Sequence, residues 1–113
     1  MLKHCVFMNY KAGVSATERK EVMEILAGLM GRVEGLLKFE YGDNLDFENK
    51  SGIYQDGFIV TFKDRQAHLT YEAHSEHIMA GGRLVDMCVD GHNGIIVFDL
   101  DVGENKDNSD DFA

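Results

Sequence analysis

The side chains best equipped for chemistry lie close together: His68, Tyr71, Glu72, His74, Glu76 and His77 all fall between residues 68 and 77. Imidazoles titrate near neutral pH and a phenol donates a hydrogen bond. Such a set can move protons, bind a metal, or form a satisfied polar patch of the core. Tyr71, His74 and His77 recur every third residue, a spacing that puts side chains on one face of a helix and brings them to one pocket. In an acid–base reading, a neutral imidazole takes a proton while the Tyr71 hydroxyl donates to a carbonyl or enolate oxygen, as enolisation, aldol closure or isomerisation requires. In a metal reading, His74-x-x-His77 with Glu76 supplies ligands that zinc accepts. No third and fourth ligand is evident, so surface or capping histidines are the commoner explanation and no metal is expected. His4 sits on a face with Leu2, Val6 and Met8, where a lone imidazole among apolar groups needs a polar partner. A core histidine bonded to backbone or to tyrosine accounts for it equally well.

Other chemistries lack their residues. There is no Gly-rich phosphate loop, no Gly-x-Ser-x-Gly elbow, no Cys/His nucleophile pattern and no dinucleotide fingerprint, and no cofactor is expected. Cys5 and Cys88 lack CxxC spacing and read as small buried hydrophobes. The six methionines are assigned to core packing, and Asp99 and Asp101 to a solvated end. A formal charge of −9 repels phosphate backbones and anionic lipid, which argues against nucleic acid and membrane surfaces as partners. No apolar run is long enough to span a bilayer, and the N-terminus has no secretory h-region, so a cytoplasmic location is expected.

The elements that must position the histidines follow from periodicity. Residues 2–10 read as a strand apolar on both faces, with Leu2, His4, Val6, Met8 and Tyr10 on one side and Cys5 and Phe7 on the other. Ser15 with Glu18 forms a capping box, and a helical stripe of Val22, Met23, Ile25, Leu26, Leu29, Met30 and Val33 runs on until Gly31 and Gly35 weaken and end it. Residues 36–41 alternate as a second strand, residues 42–57 form a long polar loop, and Phe58–Phe62 is the strongest β segment. Asp64 caps a second helix to about Glu72, a further helical stretch covers Ser75 to about Val89, residues 90–94 turn, and Ile95–Phe98 is the last strand. The order β-α-β-β-α-β is an α+β, ferredoxin-like arrangement: a four-stranded antiparallel sheet with helices on one face. Cys5, Phe7, Ile59 and Thr61 are no solvent-facing set, so the other face calls for cover, and a homodimer pairing two sheets supplies it. The domain is expected to occupy residues 1–102, followed by an acidic disordered tail over 103–113 that carries Glu104, Asp107, Asp110 and Asp111.

The opening Lys3-His4 run, the capped helix, Tyr41-Gly42-Asp43-Asn44, the Gly57–Phe62 strand and His74-Ser75-Glu76-His77 together resemble the stress-responsive A/B barrel (Dabb) family over about residues 2–101. The resemblance implies a homodimeric α/β barrel with a ligand cavity between helices and sheet. Polyketide cyclases of that family close an aldol ring with a Tyr–His pair, which implies Tyr71 and His77 as catalytic residues here. It also implies His4 and His74 as pocket residues and Val6, Met8, Val22, Met23 and Leu26 as the pocket wall. The family's His-Pro-x-His is His74-Ser75-Glu76-His77 in this chain, which alters the turn that aims His77. Two functions follow: binding of a small apolar or phenolic ligand without chemistry, or cofactor-independent cyclase, lyase or isomerase activity. A cofactor-independent monooxygenase on the same fold is a third.

Overall fold

The computed structural model describes residues 1–103, so the tail expected over 103–113 lies, beyond Gly103, outside the described residues. The chain forms β1 (Leu2–Met8), α1 (Ala16–Ala27), β2 (Leu36–Asp43), β3 (Asp56–Phe62), α2 (Arg65–Ala73), α3 (Ser75–Met87), a 3-10 turn (Gly91–Gly94) and β4 (Ile95–Asp101). The strands make one antiparallel sheet in the order β2-β3-β1-β4, the α+β ferredoxin-like topology. β1 is central, pairing with β3 on one side and β4 on the other.

Local chemistry sets the element ends. The Ser15 hydroxyl accepts from the Glu18 N–H at 3.1 Å while the Glu18 carboxylate accepts from the Ser15 N–H, so α1 starts on a complete capping box. Asp64 caps α2 by accepting from the Ala67 N–H at 3.0 Å. At Gly35, φ is +85° and an added Cβ would stand 2.7 Å from the Ala67 Cβ, so the entry to β2 tolerates glycine alone.

The end of α1 differs from the periodicity reading. The helix stops at Ala27 with Gly28 as its cap, well before Gly31. Leu29 and Val33 remain buried because tight turns keep the chain curling: the Leu29 N–H bonds the Leu26 carbonyl, Arg32 bonds Leu29, and Leu36 bonds Val33. The apolar stripe outlasts the helix because three-residue turns preserve nearly the same spacing.

The sheet's helix-covered face holds the core: Val6, Met8, Phe58, Val60 and Phe62 pack under Val22, Met23, Leu26, Tyr71, Ala80 and Leu84. Each large apolar side chain buried there contributes about 1.5–3 kcal/mol. On the opposite face β4 leaves Phe98 50% and Leu100 51% exposed, beside Phe7, Ile59 and Ile96. Gly57 permits this surface to be aromatic, since a Cβ there would lie 2.3 Å from Phe7 Cδ1. Phe7, Tyr41, Tyr54, Ile59, Ile96 and Phe98 line a concavity of about 530 Å³ on this open side.

Candidate functional site

His74 divides the histidine cluster. Its extended backbone (φ −67°, ψ 135°) ends α2 and starts α3, and its Nδ1 accepts from the Glu76 N–H at 3.1 Å. The break expected between about Glu72 and Ser75 thus falls at His74, and Tyr71, His74 and His77 do not form the single helix face that their spacing alone suggests. His74 acts as the N-cap of α3, and its Nδ1 lone pair is engaged. Glu76 is held elsewhere too, by the Arg32 guanidinium at 2.6 Å. His74, Glu76 and His77 form no chelate.

Tyr71 and His77 nevertheless meet. The turn at His74 folds α3 back so that the two rings lie 4.4 Å apart, centroid to centroid. Tyr71 is fully buried, and its hydroxyl has no hydrogen-bond partner among the described residues. Burial, reinforced by the nearby Glu72 carboxylate, pushes its pKa well above the ordinary phenol value, so it stays protonated as a donor. His77 Nδ1 stands 3.2 Å from the Glu72 carbonyl. A carbonyl only accepts, so Nδ1 carries the proton and Nε2 keeps the lone pair. Burial also holds the His77 pKa below its usual value, against the upward pull of that carbonyl and the Glu72 charge. The imidazole is neutral at pH 7.

The partner that His4 requires is Asp99. Antiparallel register sets the two opposite each other on the helix-covered face, and His4 Nδ1 lies 2.6 Å from Asp99 Oδ1. Asp99 is thus no mere solvated end. The signal was only half local: the need for a partner could be read at His4, but its identity depends on a β1–β4 register spanning almost the whole chain. His68, from α2, is the other residue that sequence reasoning left out of the site. It is 5% exposed, and its ring centroid is 4.9 Å from that of His4. His4 also lies 6.2 Å from the Tyr71 ring, centroid to centroid, so both pairs belong to one polar patch under α2. Glu72 Oε1 approaches His68 Nδ1 to 3.2 Å but out of line for a hydrogen bond, so that nitrogen remains unpartnered. Burial lowers the His68 pKa more than Glu72 raises it.

Val6, Met8, Val22, Met23 and Leu26, expected as a pocket wall, all belong to the buried hydrophobic core of which Tyr71 is also a member. The two cysteines are free and buried. No helix among the described residues is long and apolar enough to cross a membrane.

Comparison with known proteins agrees with this architecture. Residues 2–102 match the family model of the stress responsive A/B barrel domain. The stress-response A/B barrel domain-containing protein HS1 of Arabidopsis thaliana is 30% identical over 77 residues, spanning 68% of this chain and 71% of that protein. A dimeric ferredoxin-like protein of unknown function from Jannaschia sp. CCS1 is 42% identical, with a TM-score of 0.86 over 89% of this chain and 98% of that one. A Dabb family protein with a ferredoxin-like fold from Mesorhizobium loti is 20% identical, with a TM-score of 0.66 over 88% of this chain and 94% of that one. With its topology, its sequence match and its structural relatives in accord, the chain belongs to the stress responsive A/B barrel, or Dabb, family.

Proposed function

We propose that the chain works as a homodimer that binds a small apolar or phenolic molecule between helices and sheet, with an oxygen of that ligand held by Tyr71 and His77. The observation that carries this reading is the buried Tyr71 hydroxyl without a partner, since an unmet polar group in the core is costly until something bonds it. The ligand's apolar part lies against Val6, Met8, Val22, Met23 and Leu26. Met8 and Met23 are unbranched and re-pack to admit it. His4 and His74 border the ligand, His74 through its ring edge as it caps α3. The open apolar face and the dimeric relatives support pairing of two copies sheet to sheet.

Calorimetric titration with 2-naphthol as phenolic probe tests this. Native protein is expected to bind in the micromolar range, and Tyr71→Phe at least tenfold more weakly. Equal affinity for the two proteins would refute the assignment.

A second reading rests on the neutral, Nδ1-protonated His77. Its free Nε2 takes an α-proton from a β-keto compound, and Tyr71 donates to the enolate oxygen that forms. The enolate carbon then attacks a second carbonyl of the same molecule to close an aldol ring, and the resulting alkoxide takes back the proton held on His77 Nε2, which returns the imidazole to its neutral form. No cofactor is needed. The first step is testable by solvent deuterium exchange into a linear triketide: His77→Gln should bind the probe yet lose the exchange. Exchange at the native rate in that variant would exclude His77 as the base.

A further inference from the structure

We propose that His4, His68 and Asp99 form a binding site for one divalent first-row transition-metal ion, with zinc as the reference case and with open coordination positions facing solvent. One ligand atom from each residue lies within 4.8 Å of the others, although the residues come from β1, α2 and β4. Two imidazoles and a carboxylate are a donor set that zinc, and iron or cobalt in open sites, accept. Neither His74 nor His77, where histidine spacing pointed, takes part.

The fold supplies what such a site requires. Cross-strand register fixes His4 against Asp99, and α2 lays His68 over them. The His4 Nδ1 and Asp99 Oδ1 atoms stand 2.6 Å apart, within hydrogen-bond reach of each other. To bind an ion between them the two atoms part to about 3.3 Å, the edge of a tetrahedron with bonds near 2.0 Å. A pair at the 4.8 Å limit must close by at least about 0.6 Å, because ligands about 2.1 Å from one ion are at most about 4.2 Å apart, and by about 1.5 Å to reach a tetrahedral edge. The Asp99 side chain is 43% exposed and can rotate to do so, whereas His4 at 13% is held by its surroundings.

The unpartnered Nδ1 of His68 gains a role. With Nε2 toward the ion, Nδ1–H turns to Glu72 Oε1, already 3.2 Å away, the outer carboxylate that commonly orients a metal-bound histidine. The exposed side of Asp99 admits the ion and the waters that complete its shell.

The test uses the full chain, stripped with chelator and titrated with Zn2+ by calorimetry and with Co2+ by visible absorption. One equivalent per chain is expected, at micromolar or tighter affinity, with the d–d bands of a low-symmetry nitrogen–oxygen site. His68→Phe and Asp99→Asn should each weaken binding at least tenfold, and His92→Ala, which removes an exposed histidine, should not. Absent binding, affinity unchanged in His68→Phe, or affinity lost in His92→Ala would each overturn the assignment. If either site variant fails to fold, the histidine ring resonances of the native protein decide. Zn2+ must shift those of His4 and His68 and leave those of His92; the reverse pattern rejects the site. None of these readouts depends on ligand binding or turnover, so failure here is distinguishable from failure of the Tyr71–His77 reading.

Discussion

The two faces of the sheet carry much the same residue types to opposite ends. Under the helices, Val6, Met8, Val60 and Phe62 are closed off from water, with His4, Asp99, His68 and Tyr71 clustered at one end and the Arg19–Asp56 pair at the other. On the other face Phe7, Ile59, Ile96 and Phe98 are just as apolar, yet they line a wide concavity; Phe7, Ile59 and Ile96 are only half-buried, and Phe98 and neighbouring Leu100 stay exposed. Apolar character alone therefore does not say which surface is core. What separates the faces is that one has found its cover within the chain and the other has not, and the histidine cluster lies on the first.

The strongest way to break this contrast is at Tyr71. Truncating a fully buried aromatic to alanine should cost about 3–5 kcal/mol, seen as a large fall in the denaturation midpoint. Tyr71→Phe, which removes only a hydroxyl without a partner, should stay within about 1 kcal/mol of native. A large loss in Tyr71→Phe would mean that the hydroxyl is satisfied after all. On the open face, Phe98→Asp should leave the circular dichroism spectrum intact and turn a dimer into a monomer by sedimentation analysis, because a charge would be buried between the sheets. A native protein already monomeric at high concentration would end the pairing proposal. A smaller effect belongs to Gly57→Val, whose Cβ meets Phe7 at 2.3 Å and must displace it: stability is expected to fall by about 1–3 kcal/mol and dimerisation to weaken with it.

The smallest effect is a pH slope. His77 faces Tyr71 and Glu72, with His4 and His68 nearby, and burial holds its pKa below the ordinary imidazole value of about 6.5. As pH falls through about 6.5, the unfolded chain gains a proton before the folded one does. Its contribution to stability is therefore present above that pH and is lost as pH falls toward the folded pKa. Urea midpoints measured between pH 7.5 and 5.5 should decline in native protein and decline less in His77→Gln. A steeper decline in the variant would reverse the assigned sign.

Elements written in contiguous residues were legible in the sequence, and contacts between distant ones were not. The Ser15–Glu18 box, the β-branched and aromatic run at Phe58–Phe62 and the order of elements all declare themselves locally. The break between α2 and α3 was legible, and the Tyr71–His77 pair was expected from the family resemblance and from one-face spacing, but not that a fold-back at His74, rather than a shared helix face, brings the two rings together. Asp99 and His68 were left out because their meaning depends on β1–β4 register and on where α2 crosses the sheet. The end of α1 was misplaced because turns of three-residue period imitate the apolar spacing of a helix.

The central position of β1 has a consequence for how the molecule is made. Its first residues emerge earliest during synthesis, yet its two neighbours, β3 and β4, lie far along the chain, with Leu2 paired to Phe62 on one side and Asp101 on the other. Loop closure over such separations slows folding. Until the last strand arrives, a segment apolar on both faces keeps an unpaired edge, the kind of edge that recruits other chains. A chain truncated before Ile95 would leave that edge permanently open, so successful production of this protein depends on its final strand as much as on its core.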